Sequence, residues 1–301
     1  MIHPRPLSDV RCESRFRTRA PSVLVAVLSA LAVMIAADTR ASAQSGDLKA
    51  LIDDLVAANR ILYRQGVVDG FGHVSARYPG RPDRFLMAAA KAPGRVTADD
   101  IMEFDLDAKP IDRRDRPIYS ERFIHSEVYK VRADVAAVIH SHSPAVIPFS
   151  VTQVQLRPVH NTASFLAVGV PVFEMRNVAG MSNNLVSDST RGRALAETLG
   201  NRPVALLRGH GNVVVGPDVR RAVARAIYTE VNARMLLQAV MLGGPITFID
   251  PEENKAIESD RGTQIPGHSV DRVWQMWLEE ASSGANSPAE RQTLSAPGRH
   301  D

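Results

Sequence analysis

The chain has 301 residues, 45% of them hydrophobic and 23% charged, a balance typical of a globular protein and unlike that of a disordered chain. Its formal net charge is +3, but residues 1–43 hold six of the 36 Lys/Arg and three of the 33 Asp/Glu. The rest of the chain carries 30 basic and 30 acidic residues, which argues against a nucleic-acid or membrane-surface partner. The single cysteine, Cys12, also lies in this first segment. Any metal bound by the remainder must therefore be held by imidazole and carboxylate groups.

Residues 1–43 have the parts of an export signal. Arginines precede an apolar segment, Val23–Ala37, and Ala41-Ser42-Ala43 forms a small-residue cleavage site that leaves Gln44 as the first mature residue. A membrane anchor is the alternative, but the apolar segment is shorter than the roughly 20 residues that a spanning helix needs. We therefore predict a signal peptide over 1–43, exported by the Sec or Tat route to the periplasm, and no membrane contact after cleavage.

The hydrophobic pattern after the signal switches between helical and strand periods. Helices are predicted over Asp47–Gln65, Ser120–Val131 with Ser120 as N-cap, from Pro144, and over Val186–Leu199, Pro217–Leu242 and Val270–Ala281. Strands are predicted before Tyr78 and over Phe85–Ala89, Ile101–Leu106, Val135–Ile139, Pro203–Leu207 and Asn212–Val215. Neighbouring strands are close enough for hairpins, so we expect a mainly antiparallel sheet covered by helices in one domain, 44–281. Residues 282–301 have the composition of a disordered tail.

Two histidines, His140 and His142, follow the β-branched run Val135–Ile139. Positions i and i+2 of a strand point to the same face, so two imidazoles leave the sheet side by side. Taken alone, the pair is equally compatible with one packed and one solvated histidine.

Three further residues favour a metal site. Glu121 and His125 are four residues apart in the predicted Ser120 helix and are expected to share a face, and that helix leads into the histidine strand. His210 follows another apolar strand between Gly209 and Gly211, where the missing side chains permit close approach. Three imidazoles with one carboxylate is the composition of a catalytic divalent-metal site.

These motifs in combination resemble the class II aldolase/adducin family. The resemblance spans about residues 48–245 and rests on Ser120–His125, Val138–Pro144 and Arg208–Gly211. It implies a three-layer α/β/α sandwich with a mainly antiparallel central sheet, usually assembled as a homotetramer. It also implies that His140, His142 and His210 bind a divalent metal, Zn²⁺ or Mn²⁺, and that Glu121 is a catalytic acid/base that can join them as a ligand.

The chain departs from the sugar-phosphate members of that family. Where they place hydroxyl and amide donors around a phosphate, this chain has Gly72–Ser75, Lys91–Gly94 and Tyr119-Ser120. Two of these three positions have lost hydrogen-bond donors. A phosphate dianion requires many donors, which argues against a sugar-phosphate substrate. The segments Val67–Ser75, Glu121–His125 and Arg157–His160 look most like a branch that decarboxylates hydroxylated aromatic or pyridine carboxylic acids, of the 3-hydroxy-2-methylpyridine-4,5-dicarboxylate decarboxylase type.

We therefore predict a metal-dependent carbon–carbon lyase that acts on a small molecule, most simply a decarboxylase. Glu121 and His125 are the predicted catalytic residues, and His73, Lys91 and Arg122 are predicted to bind a second carboxylate of the substrate. Each of the last three has a simpler reading as a turn, loop or solvated helix residue. Two alternatives remain: an aldolase acting on a non-phosphorylated hydroxy-keto substrate, and a non-catalytic adducin-like binding domain.

Overall fold

The computed structural model describes residues 46–263 and 268–283, and the predicted signal peptide and almost all of the predicted tail lie outside them. These described residues belong to one compact unit. Among the described residues no helix is both long and apolar enough to cross a membrane.

Seven strands form one sheet in the order β3-β2-β1-β4-β7-β6-β5. In chain order they are β1 (His73–Tyr78), β2 (Arg81–Ala88), β3 (Ile101–Asp105), β4 (Ala137–Ser141), β5 (Val172–Phe173), β6 (Val204–Leu207) and β7 (Gly211–Gly216). Every neighbouring pair is antiparallel except β5 with β6, which is parallel. The predicted mainly antiparallel sheet is confirmed, and β5 is a short edge strand that the sequence pattern did not indicate.

The helices are α1 (46–64), α2 (Phe123–Val131), α3 (Arg176–Ala179), α4 (Ser189–Leu199), α5 (Val219–Leu242), α6 (Pro251–Thr263) and α7 (His268–Ser282). Two predictions were wrong in detail. The helix expected from Pro144 is a turn followed by a short 3₁₀ helix, Ile147–Ser150. Ser120 is not an N-cap: it opens a separate 3₁₀ turn, Ser120–Arg122, and α2 begins only at Phe123.

The two faces of the sheet carry separate hydrophobic cores, which gives the predicted three-layer α/β/α sandwich. Helices α1, α5 and α7 cover one face, where Ala137 and Ile139 of β4 are buried. Helices α2 and α4 cover the other face, where Val138 is buried. Trp274 and Trp277 of α7 lie in the first core, at 1% and 4% exposure. Because β4 alternates in this way, His140 belongs to the face that α2 covers.

Candidate active site

His140 is fixed by the sheet. It lies next to the end of β4 and pairs with Val213 of β7 on one side and with His73 of β1 on the other. Its Nδ1 lies 3.1 Å from the backbone oxygen of Asn212, and since a carbonyl only accepts, Nδ1 carries the proton. Nε2 is then the nitrogen with a free electron pair, and it is buried without a hydrogen-bond partner. That atom is ready to bind a metal.

His210 reaches the same point from the turn between β6 and β7. A glycine stands on each side of His210. Gly209 has a φ of +63°, a backbone conformation that favours glycine. A Cβ on Gly211, the first residue of β7, would lie 2.1 Å from the backbone oxygen of Ser141, so no larger residue fits there. The turn therefore packs directly against the end of β4. Nε2 of His210 lies 3.1 Å from Nε2 of His142.

Glu121 completes the group from the 3₁₀ turn before α2. Its φ and ψ of −90° and 17° lie outside the helical range, so it does not share a helix face with His125, contrary to the prediction. One carboxylate oxygen, Oε1, accepts a 2.9 Å hydrogen bond from the Val186 amide. The other, Oε2, lies 3.6 Å from His140 Nε2 and 3.5 Å from His210 Nε2.

These four side chains form one cluster that fits a divalent metal. The ligand atoms of Glu121, His140, His142 and His210 all lie within 4.8 Å of one another. Burial lowers the pKa of His140 to about 4, so its imidazole is neutral at neutral pH, as a ligand must be. Burial raises the pKa of Glu121, but the hydrogen bond to His210, the fields of His140 and His210 and the Val186 amide outweigh burial and lower it to about 2. The cluster thus presents the neutral imidazole of His140 and the carboxylate of Glu121.

A second, fully buried chain of hydrogen bonds adjoins the cluster. Nδ1 of His73 lies 2.6 Å from Nε2 of His125, and Nδ1 of His125 lies 2.6 Å from Oγ of Ser75. The Ser75 hydroxyl continues to the Tyr129 hydroxyl at 2.8 Å. The ring of His73 lies 5.1 Å from the ring of His140, between centroids. The ring of His73 therefore lies next to the cluster, and the ring of His125 lies next to that of His73.

The two remaining predicted substrate-binding residues have other partners in this structure. Lys91 forms a 2.7 Å ion pair with Asp100, and its backbone oxygen accepts the Tyr119 hydroxyl. Arg122 donates to the backbone oxygens of Ala108 and Tyr119 at 2.8 and 3.0 Å. The Lys91 backbone and the Arg122 guanidinium thus both hold Tyr119, whose ring lies 4.6 Å from that of His73.

Sequence reasoning missed the parts of the site that support these residues. Ser75 follows His73 by two residues on β1, and Tyr129 follows His125 by four residues on α2, so the strand and helix periods contained a signal for both. The Asn212 carbonyl and the Val186 amide are backbone groups that no side-chain pattern indicates.

Comparison with known proteins identifies the family. Residues 53–237 match the family described as the class II aldolase and adducin N-terminal domain. A decarboxylase of Talaromyces stipitatus, tropJ, is 34% identical over 76% of this chain and 93% of its own length. The 3,4-dihydroxyphthalate decarboxylase of Arthrobacter keyseri is 30% identical over 74% of this chain and 94% of its own length.

Solved structures agree on the fold. The L-fuculose 1-phosphate aldolase of Glaciozyma antarctica superposes with a TM-score of 0.66 at 23% identity, covering 81% of this chain and 94% of the aldolase. An aldolase II superfamily protein of Pseudomonas syringae gives a TM-score of 0.65 at 24% identity, covering 79% and 94%. The chain belongs to the class II aldolase and adducin family, and the predicted family, fold and lyase class of enzyme are confirmed.

Proposed function

We propose that this member of the class II aldolase family is a divalent-metal-dependent decarboxylase of a hydroxylated aromatic or pyridine carboxylic acid. The observation that carries the proposal is the intact cluster of Glu121, His140, His142 and His210 beside the buried His73–His125 pair. The decarboxylases of Talaromyces stipitatus and Arthrobacter keyseri, matched over 93% and 94% of their own lengths, support the same reaction.

The surroundings of the cluster suit a planar ring better than a phosphate. Tyr119 packs beside His73, and Phe71, at 68% exposure, lies with its ring centroid 6.0 Å from that of His142. Aromatic side chains offer a flat apolar surface to an aromatic substrate. The side chains of Lys91 and Arg122 already bind Asp100 and the backbone oxygen of Ala108, which leaves few donors for a dianion.

Glu121 and the hydrogen-bonded chain of His73, His125 and Ser75 share the chemistry. His140, His142 and His210 would hold a divalent metal, whose positive charge would stabilise a hydroxyl and a neighbouring carboxylate of the substrate in their anionic forms. Glu121 takes the proton of the ring hydroxyl through Oε2, its oxygen nearest to the histidines. The carbon–carboxylate bond then breaks, its electron pair moves into the ring, and carbon dioxide leaves.

The ring carbon that loses carbon dioxide needs a proton, and His73 is placed to give it. Since Nδ1 of His73 is bonded to His125, Nε2 is the nitrogen left to meet the substrate. His125 and Ser75 replace the proton by passing one along their hydrogen bonds, and a proton taken up from water after the product leaves restores the chain for the next turnover. Glu121 returns its own proton to the product hydroxyl, so the net reaction consumes one proton for each carbon dioxide released.

The test is product analysis with purified protein loaded with Zn²⁺ or Mn²⁺. We expect carbon dioxide from 3,4-dihydroxyphthalate or another member of a panel of hydroxybenzoic and hydroxypyridine carboxylates, and none after chelation. His140→Ala, which removes a ligand, is the matched control and is expected to lose both metal and activity. Aldehyde or ketone release from hydroxy-keto compounds without carbon dioxide would favour the aldolase alternative. A chain that binds neither metal would favour the non-catalytic one.

Export is a separate proposal that rests on the sequence of residues 1–43. We propose that this segment directs the protein to the periplasm and is removed before Gln44. Amino-terminal sequencing of protein from the periplasmic fraction of a Gram-negative host tests the proposal. A mature protein that still begins at Met1, or that stays in the cytoplasmic fraction, would contradict it.

We also propose that the chain assembles as a homotetramer. The end of α5 supports assembly, because it exposes an apolar set of side chains: Met235, Leu237, Val240, Met241 and Leu242. Light scattering of the purified protein measures the mass directly. A monomeric mass at micromolar concentration would refute the proposal.

A further inference from the structure

One buried carboxylate close to the cluster has no part in the proposed reaction. Glu230 lies on α5, in the helical layer on the opposite side of the sheet from α2, and its side chain is 2% exposed. Its Oε2 accepts hydrogen bonds from the Ser143 hydroxyl at 2.5 Å and from the Ala145 amide at 3.0 Å. Its Oε1 accepts from Nε of Arg234 at 2.8 Å. Both oxygens are therefore in use, and two of the three donors come from the turn that follows His142.

The two histidines of the His-x-His pair are held in different ways. His140 lies within β4, with strand partners on both sides and a bond from its ring to the Asn212 carbonyl. His142 lies one residue beyond the end of β4, where the strand ladder with β7 has already stopped at Ser141. The position of His142 consequently depends on the turn at 143–147.

We infer that Glu230 is a positioning residue that fixes His142 as a metal ligand. The inference rests on the metal site of the proposed function. A carboxylate accepts stronger hydrogen bonds than a neutral group does. The Glu230 carboxylate accepts from two donors of the same turn. By tying Ser143 and Ala145 to α5, it leaves the backbone of His142 little freedom and keeps its Nε2 beside that of His210. A metal binds more tightly to side chains that already lie in the binding geometry, because fewer side chains lose conformational freedom on binding.

Glu230→Gln is the direct test. The amide has one accepting oxygen and one donating nitrogen, so the nitrogen must face either the Arg234 donor or the Ala145 amide, which are both donors. We expect Zn²⁺ affinity, measured by competition with a chromophoric chelator, to fall about 10- to 100-fold. The visible spectrum of the Co²⁺-loaded variant should also change, because the angle of one imidazole ligand changes.

A second variant and a matched control separate positioning from general destabilisation. Ser143→Ala removes one of the same hydrogen bonds from the other partner, and we expect a smaller loss of affinity in the same direction. Glu127→Gln alters another buried carboxylate, 1% exposed and paired with Lys130, that does not contact the turn. It should leave the Zn²⁺ affinity and the Co²⁺ spectrum unchanged.

The possible failures differ. If the unaltered chain binds metal and Glu230→Gln binds it equally well, the role of Glu230 is refuted and the proposed function stands. An equal loss in Glu127→Gln would also refute it, since the loss would then follow from removing any buried charge. If the unaltered chain binds no metal, the proposed function fails first.

Discussion

Nδ1 of His73 lies 2.6 Å from Nε2 of His125, and this hydrogen bond joins the ring beside the metal ligands to a buried polar chain. One of the two nitrogens must carry the hydrogen, so each ring determines the tautomer of the other. The Ser75 hydroxyl, 2.6 Å from the other nitrogen of His125, can donate or accept and therefore pairs with either tautomer of His125. In the proposed reaction His73 meets the substrate and His125 orients it.

This relationship predicts the effect of His125→Gln. The variant loses the imidazole that passes a proton to His73 but keeps all four residues of the metal cluster. We expect kcat to fall about 10- to 100-fold while the metal content stays at the level of the unaltered protein. Tyr129→Phe, which removes only the far end of the chain, should cost less. A variant that turns over at the full rate would contradict the assignment of His125.

Glu121→Gln separates catalysis from metal binding. The glutamine oxygen still accepts from the Val186 amide, so the local backbone is preserved, and three imidazoles remain to hold the metal. Without a base beside the substrate hydroxyl, kcat is expected to fall about 10²- to 10⁴-fold. Elemental analysis measures the metal content of the variant, and steady-state kinetics on the same preparation measures its kcat. Undiminished turnover, or loss of the metal, would count against the proposed role.

Gly211→Ala tests the close approach of the β6–β7 turn to β4. The new Cβ would meet the Ser141 oxygen at 2.1 Å and Cδ2 of His142 at 3.3 Å, so the turn must move away from the strand. Because the turn carries His210 and the strand leads to His142, we expect metal affinity to fall at least tenfold. Gly70→Ala is a suitable control, since a Cβ there meets nothing within 4 Å.

The buried histidines predict a pH dependence of stability in the metal-free chain. Burial lowers the pKa of His140 to about 4 and that of His125 to about 3. In the unfolded chain both titrate near pH 6.5. Between about pH 6.5 and pH 4 the unfolded state therefore binds protons that the folded state does not, and the free energy of unfolding falls as the pH falls. Above pH 6.5 this effect disappears.

Urea unfolding at pH 8, 6 and 5 measures this slope. His125→Gln removes one of the groups and should make the slope shallower. Glu121, whose folded pKa of about 2 lies below its ordinary value of 4.5, adds its own loss of stability only below about pH 4.5. A free energy of unfolding that is constant from pH 8 to pH 5 would show that these imidazoles are not buried as described.

The sequence alone determined the local structure of this protein, meaning its main helices and strands and the side chains that share a face of one element. The period of the apolar residues located β4 and α5, the spacing of His140 and His142 put two ligands on one face, and the glycines around His210 indicated close packing. These features depend on residues that are near one another in the chain, where backbone geometry dictates which side chains share a face.

Only the tertiary structure decided which distant groups meet. Glu230 contacts Ser143 across 87 residues of sequence, and His125 bonds to His73 rather than to Glu121, its neighbour in the chain. Such pairs depend on strand register and on how helices pack onto each face of the sheet, and a single-residue shift in register would move every side chain of a strand to the other face. The sequence therefore predicted the four residues of the cluster, and the packing of the layers on the sheet determined which residues support them.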